Sequence, residues 1–182
     1  MFEALTAKVF ATVVSLSMFL FSSYTGNDPA FRALNAKAGV SYLQFRTTLV
    51  AAFDNDFPDV FKSGASIPVD FTLQIKSGNK IRLERKYQNK VQYNPSTGIY
   101  YVFIAGMNRN LQTESYQQML SAISGFECSV PYDSAWGKVS VHLEAKLPTV
   151  RFQQINKAVD LMVLWRYQRP SITTYLNLLA AT

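Results

Sequence analysis

The chain has 182 residues, of which 48% are hydrophobic and 14% aromatic, and its formal net charge is +6. This length favours a single domain, and this composition argues against intrinsic disorder. Cys128 and His142 are the only residues of their types, which excludes an intramolecular disulfide and zinc sites of the common Cys/His kinds. We interpret Cys128 as a small buried residue.

An apolar segment without charged residues runs from Val9 to Phe21. Its thirteen residues are fewer than the roughly 20 that a bilayer-spanning helix needs, and they are typical of the core of a signal peptide. Ser23 and Thr25 have the small side chains that precede a cleavage site, which places the predicted cut before Gly26.

The start of the chain is weakly charged for a signal peptide, because Glu3 offsets Lys8. A retained anchor over residues 2–24 and a buried helix of a cytosolic protein are the alternatives. We predict that residues 1–25 are a signal peptide or an N-terminal membrane anchor. Residues 26–182 are then a single β-rich globular domain.

The first part of this domain is predicted to mix helix and strand. Phe31 to Ala38 is predicted as a short helix that ends at Gly39. Val40 to Phe45 is predicted as a strand. Apolar residues then recur every three or four positions from Thr47 to Lys62, which predicts an amphipathic helix that Pro58 kinks or splits.

A hairpin gives the clearest pattern in the sequence. Apolar and polar residues alternate from Val69 to Lys76, residues 76–79 form a turn, and a return strand runs from Ile81 to Tyr93. The apolar residues of both strands share odd-numbered positions and are predicted to face the core; they are Val69, Phe71, Leu73, Ile75, Ile81, Leu83, Tyr87, Val91 and Tyr93. The basic side chains predicted on the outward face are Lys76, Lys80, Arg82, Lys86 and Lys90.

A third strand and a helix follow the hairpin. After a turn at Asn94–Gly98, the apolar run Ile99 to Ala105 is predicted as a strand buried on both faces, and Gly106 to Asn110 ends it. The next helix is predicted to be capped by Thr113 and to end at Gly125. Its inward stripe is Tyr116, Met119, Leu120 and Ile123.

The last third of the chain is predicted to contain two strands and a mixed tail. The strands are Phe126 to Val130 and the clean alternation Val139 to Leu147. The spacing from Phe152 to Met162 fits a helix, whereas Leu161 to Trp165 is apolar enough for a central strand. Ser171 to Leu179 is predicted as a last short helix.

This order of elements predicts an α+β fold. A mostly antiparallel sheet built as a meander would carry two or three helices on one face. A two-sheet β-sandwich is the alternative.

The sequence predicts no catalytic residue, cofactor or metal site. His142 is the only possible general base, and it lies beside Glu144 on the polar side of a strand, as solvated surface histidines do. Motifs for a nucleophile elbow, a phosphate-binding loop and dinucleotide binding are absent from the sequence. Asp54, Asp56 and Asp59 resemble the start of a calcium loop, but the required glycine and distal glutamate do not follow.

The five basic side chains of the hairpin are therefore the only predicted site. A row of cations suits an acidic protein surface, phosphate head groups or a nucleic-acid backbone. The competing interpretation is that lysines on an outer strand keep the sheet from aggregating.

Several segments also resemble a known family. They are FPDVFKSGASIPVDFTLQI, RLERKYQNKVQYNPSTGIYYV, SYQQMLSAI and LPTVRFQQINKAVDLMVLWRYQRPSI. With the leader, they resemble a family of small exported bacterial proteins known only as a domain of unknown function. The resemblance covers Val40 to Ile172. It implies an envelope location and a β-rich fold, and it supplies no activity and no functional residue.

We therefore predict a non-enzymatic envelope protein that is periplasmic or anchored to the outer face of the inner membrane. Its expected partner is an unknown protein or an anionic membrane surface, without a small-molecule cofactor. The alternative is a basic nucleic-acid-binding protein of the cytosol, although nucleic acid is the less favoured partner. Export distinguishes the two hypotheses.

Overall fold

The computed structural model describes residues 24–153 and 156–178. Of the predicted leader, only Tyr24 and Thr25 are among the described residues. In the described part, strands dominate the secondary structure, and the pairs that they form are antiparallel. The prediction of a mostly antiparallel, β-rich fold is confirmed.

The described elements are twelve strands, two α-helices and short 3-10 turns. The strands are β1 Ala30–Phe31, β2 Asn35–Ala38, β3 Tyr42–Val50, β4 Ile67–Ser77, β5 Lys80–Asn94, β6 Ile99–Ile104, β7 Arg109–Thr113, β8 Gly125–Pro131, β9 Lys138–Lys146, β10 Thr149–Phe152, β11 Lys157–Asp160 and β12 Ser171–Asn177. The helices are α1 Phe57–Lys62 and α2 Tyr116–Ser124, and the 3-10 turns are Ala105–Met107, Ser134–Trp136 and Leu161–Trp165.

Six strands form one sheet, here called the large sheet, in the order β12-β9-β4-β5-β6-β7. The predicted hairpin forms its centre as β4 and β5, which are joined through Gly78 at a φ of 55° that suits a tight turn. Alternate side chains of β4 are fully buried and form the middle of the core. They are Ile67, Val69, Phe71, Leu73 and Ile75.

A second, four-stranded sheet covers the inner face of the large sheet. In this small sheet, β3 lies between β2 and β8, and its end pairs with β1. The ring of Phe126 lies 5.1 Å from that of Phe71 and 5.5 Å from that of Tyr87, which joins the two sheets. Helix α2 packs on the same face, with Tyr116 6.1 Å from Tyr100. The predicted layer of helices on one face is therefore only part of the arrangement.

Of the two helices predicted near the start of the domain, one is wrong and the other is confirmed only over Phe57–Lys62. Phe31 to Ala38 forms β1 and β2, because β3 offers both segments backbone partners that outweigh the weak helical preference of a short stretch. Of the predicted helix Thr47–Lys62, the part up to Val50 belongs to β3. Helix α1 starts only after Asp56, with Pro58 in its first turn, where a missing N–H costs little.

The helix predicted around Tyr116 to Ile123 is confirmed as α2, and Gly125 follows its last residue. The sequence predicts Thr113 as its N-terminal cap, but the capping residue is Ser115. The Ser115 hydroxyl accepts from the N–H of Gln118 at 3.3 Å. Thr113 lies two residues before the cap. Its Oγ1 accepts from the Ser115 N–H and donates to the Gln118 side chain.

The strands Phe126 to Val130 and Val139 to Leu147 are confirmed as β8 and β9. The strand from Ile99 is also present, but it is buried on one face only, since Tyr101 is 40% exposed. The predicted break Gly106 to Asn110 holds a 3-10 turn and the start of β7, an edge strand that the sequence analysis does not anticipate.

All three predictions for the tail are wrong. The predicted helix Phe152 to Met162 is replaced by a hairpin of β10 and β11, and Leu161–Trp165 is a 3-10 turn and not a strand. The predicted helix Ser171 to Leu179 is replaced by β12, which pairs with β9 over its whole length. Residues 172–175 are β-branched or aromatic, which favours a strand beside an available partner.

Candidate functional site

The face of the large sheet opposite the core, here called the outer face, is open among the described residues. The polar side chains of β4 and β9 alternate with buried ones, and β12 alternates between exposed and half-buried residues. Cross-strand pairs place Lys86 beside Thr72, Lys90 beside Pro68 and Lys76 beside Ser140. Three of the predicted basic residues therefore share this face.

The carboxylates of the outer face have partners elsewhere on it. The pairs are Asp70 with Gln88 at 2.7 Å and Lys146 at 3.9 Å, Glu84 with Gln74 at 2.9 Å, and Glu144 with Arg169 at 3.9 Å. None of these three acids is paired with a residue of the predicted site. None of the predicted cations therefore forms an ion pair with these carboxylates.

The predicted site, here called the basic stripe, is Lys76, Lys80, Arg82, Lys86 and Lys90. Lys76 is half-buried and the other four are exposed. In the part of the chain that the structure describes, no carboxylate lies within 4.0 Å of any of the five. An exposed cation of this kind can bind an external anion without first breaking an internal ion pair.

The prediction that all five cations share one face is wrong at the end of the hairpin. A β-bulge shifts the register between Ile75 and Lys76, so that Ile81 lies opposite Lys76 and is 50% exposed. Lys80 lies opposite Ser77, whose hydroxyl donates to the carbonyl of Trp136 at 2.7 Å. The single extra residue in β5 reverses which side chains of that strand lie on the outer face at the hairpin end.

Arg82 lies at this bulge, between the residues that pair with Ile75 and Lys76. The basic stripe is therefore not a flat row. Lys76, Lys86 and Lys90 lie on the outer face, and Lys80 and Arg82 lie around the hairpin end.

Arg85 is a sixth cation that the sequence analysis misses. It lies opposite Leu73, at a position where the alternation predicts an apolar, core-facing side chain, yet it is exposed. The small sheet therefore does not cover this part of β5. The sequence signal for this exposure is a charged residue in a mostly apolar row of odd-numbered positions.

Residues considered for chemistry are placed as surface or structural groups. His142 is half-buried, with Nδ1 3.0 Å from Oγ1 of Thr173 on the neighbouring strand. Asp54 and Asp59 are exposed, and Asp56 is half-buried. Over the described ranges, no group of three or more His, Cys, Asp or Glu side chains could hold a metal ion.

Cys128 is buried, as predicted, with 3% of its surface exposed in the core of the small sheet. Burial raises the pKa of its thiol to about 11, and a hydrogen bond with Tyr87 offsets part of that effect. A thiol with this pKa is almost entirely protonated at neutral pH, so it lacks the thiolate that nucleophilic chemistry needs.

A cleft of about 520 Å³ opens between α2, β7 and β8. Arg46 lies in its wall and forms a 2.7 Å ion pair with Glu127, and Arg109 lines the opposite side. Because the ion pair occupies Arg46, the cleft adds no second cluster of uncompensated cations in the described structure. The basic stripe remains the strongest candidate site.

No helix in the described ranges has the length and apolar character needed to span a bilayer. No family model, curated protein or solved structure matches the chain. The resemblance to small exported proteins therefore stays a prediction.

Proposed function

We propose that the chain is a non-enzymatic protein of the bacterial envelope, periplasmic or anchored to the outer face of the inner membrane. It binds an acidic protein surface through the basic stripe. The observation that carries the proposal is the set of five cations with no carboxylate within 4.0 Å in the described structure. An anionic membrane surface is the alternative ligand of the same cations.

Two features favour a protein over a lipid surface. The cations wrap around the hairpin end instead of forming one plane, as the bulge at Ile75 and Lys76 requires. A bilayer presents a plane, whereas a protein surface can follow a curved charge distribution. The exposed Ile81 between Lys80 and Arg82 adds an apolar contact of the kind found in protein interfaces.

The envelope location is proposed from the apolar leader and the resemblance. The start of the domain is compatible with a cut before Gly26. The carbonyl of Gly26 accepts from the side chain of Asn55 at 2.6 Å, and the backbone N–H of Asn27 donates to the carbonyl of Leu164 at 2.8 Å. These contacts would survive removal of residues 1–25.

We expect the full chain, expressed in a bacterium with a carboxy-terminal tag, to leave the cytosol. Fractionation and intact-mass measurement report the outcome. A periplasmic protein that lacks about the first 25 residues supports a signal peptide, and an intact chain in the membrane fraction supports an anchor. An intact, soluble chain in the cytosol contradicts the envelope location and favours the nucleic-acid-binding alternative.

We expect Arg82→Glu, Lys86→Glu and Lys90→Glu together to leave the fold intact and to weaken binding to an anionic protein probe by at least about tenfold at low salt. The three side chains are exposed and form no ion pair in the described structure, so their reversal removes no internal contact of that kind. The measurement is a titration of immobilised poly-glutamate between low and physiological ionic strength. Wild-type binding should weaken as salt shortens the Debye length to about 8 Å.

The matched control reverses Lys37, Lys62 and Arg109, which are exposed and lie outside the basic stripe. It makes the same change in net charge and should bind as the wild type does. Equal loss in both triple variants would mean that only net charge matters, which contradicts a site. Tighter binding to vesicles with phosphatidylglycerol, or to duplex DNA, would instead identify lipid or nucleic acid as the ligand.

A further inference from the structure

One side of β5 is open over half of its length. Strand β5 has 15 residues, whereas β6 has 6 and pairs only with Lys90–Asn94. In the described structure, Lys80 to Lys86 therefore pairs with β4 alone. A strand edge of this kind leaves alternate backbone N–H and C=O groups without a partner strand.

This open segment also protrudes beyond the rest of the fold. Six of the seven residues from Lys80 to Lys86 are exposed, and only Leu83 is half-buried. Exposure on both faces means that neither the small sheet nor the helices reach the edge. A second strand could lie beside β5 here without displacing a described element.

The two faces of the open edge differ in chemistry. On the outer face, Lys86 and the neighbouring Lys90 have no carboxylate within 4.0 Å in the described structure, and Glu84 lies on the same face with its carboxylate accepting from Gln74 at 2.9 Å. On the inner face, the partly buried Leu83 and Tyr87 pack against the core, and the exposed cation Arg85 lies between them, opposite Leu73. An added strand would therefore meet cations on both faces and apolar side chains on the inner face only.

We propose that an extended segment of an acidic protein adds to the large sheet at the open edge of β5, Lys80 to Lys86. Its side chains alternate between acidic residues on the outer face and mainly apolar residues on the inner face, where Leu83 and Tyr87 flank Arg85. This inference rests on the proposed function, for which it names the partner's chemistry and its mode of binding. Strand addition supplies backbone hydrogen bonds, and the alternation supplies specificity.

A second copy of this chain is a poor occupant of the same edge. Lys80 to Lys86 carries four cations and one acid, so an isologous pair of β5 edges would bring two segments of net positive charge together, which is destabilising. The other large-sheet edges lack this charge, because β12 has no charged residue and β7 has only Arg109. Charge therefore selects both the β5 edge and an acidic partner.

The first test uses the full chain and an eight-residue peptide of alternating Glu and Val. Hydrogen exchange read by mass spectrometry should slow by about tenfold or more over Lys80 to Lys86 when the peptide is bound, and β12 should be unaffected. A Lys-Val peptide of the same pattern tests charge. A Glu-Val peptide with N-methylated backbone keeps the charge and removes the donors, so it should give no protection.

Proline substitutions separate backbone pairing from charge. In an antiparallel pair, the amides of neighbouring residues face opposite sides, so one of Glu84 and Arg85 has its N–H on the open edge. Of Glu84→Pro and Arg85→Pro, we expect one to keep the native circular dichroism spectrum and yet lose peptide binding by about tenfold. Glu84→Ala and Arg85→Ala are the controls for the change in charge.

The outcomes separate this inference from the proposed function. Binding that depends on the basic stripe but gives no protection of β5 overturns strand addition and leaves the proposed function standing. Protection at β12 instead of β5 overturns the choice of edge. Failure of both the alternating peptide and poly-glutamate to bind at low salt overturns both proposals.

Discussion

Gly106→Ala is expected to destabilise the protein by about 3 kcal/mol, the upper part of the range for overpacked interiors. A Cβ atom at this position would lie 2.0 Å from the backbone carbonyl oxygen of Glu127 and 3.1 Å from Cβ of Cys128. The nearest atom belongs to the backbone of β8, so no side-chain rotation relieves the clash. The measurement is urea unfolding followed by far-ultraviolet circular dichroism.

The cause is spatial and not conformational, because Gly106 is not among the glycines with positive φ. The clash would push the turn Ala105–Met107 away from β8. That turn is also tied to β5, since the buried side chain of Asn89 accepts from the N–H of Ala105 and donates to the carbonyl of Gly125. The strain therefore acts where the large and small sheets meet.

Gly39→Ala is the matched control for this prediction. Its φ is not positive, and the nearest atom to an added Cβ is the Tyr42 carbonyl oxygen at 3.4 Å. We expect a change within about 0.5 kcal/mol, as for surface substitutions. If the two variants proved equally stable, the close approach of Gly106 to β8 would be wrong.

The sequence predicts the centre of the large sheet well because the alternation in β4 and β9 is complete. Side chains such as Leu73 and Leu143 are fully buried while their neighbours are not, and a period of two is the signature of that arrangement. The turn at Gly78 adds a local signal that depends on no distant contact.

The elements that sequence reasoning misses depend on distant partners. β1 and β2 are strands because β3 lies beside them, and β12 is a strand because β9 has a free side. Short segments such as Ser171–Asn177 have too little helical preference of their own to resist such pairing. Local pattern reasoning has no access to these partners.

The positions of the residues in the basic stripe are likewise predicted only in part by the sequence. The positions of Lys86 and Lys90 on the outer face follow from the alternation. The displacement of Lys80 and Arg82 does not, because a one-residue bulge leaves no mark in the pattern of apolar residues. The sequence does indicate the open edge, because the predicted return strand from Ile81 to Tyr93 is longer than the strand from Ile99 that pairs with it.

Trp165 is part of the core, and Trp165→Ala is expected to have the largest effect on stability of any single substitution proposed. Its side chain is fully buried, its ring lies 5.9 Å from that of Phe53, and its Nε1 donates to the carbonyl of Ala52 at 2.7 Å. The hydrogen bond joins the 3-10 turn Leu161–Trp165 to the segment after β3. Both a large apolar volume and a buried polar contact depend on this residue.

We expect Trp165→Ala to cost about 3–5 kcal/mol, because it leaves a cavity as well as a buried carbonyl without its donor. Trp165→Phe keeps most of the volume and should cost about 1–3 kcal/mol, the penalty for the unpaired Ala52 carbonyl. Trp136→Phe is the control, since Trp136 is only half-buried and the change should cost less than about 1 kcal/mol. Urea unfolding by circular dichroism compares the three without relying on tryptophan fluorescence.

The order of these variants tests how the end of the chain is held. If Trp165→Phe were as harmless as Trp136→Phe, the hydrogen bond to Ala52 would contribute nothing, and Trp165 would act through its volume alone. If Trp165→Ala were also mild, the turn Leu161–Trp165 would not be part of the core. The N–H of Asn27 donates to Leu164 in the same turn, so a loosened turn should also release the start of the domain. Faster hydrogen exchange around Asn27 in Trp165→Ala would show that coupling directly.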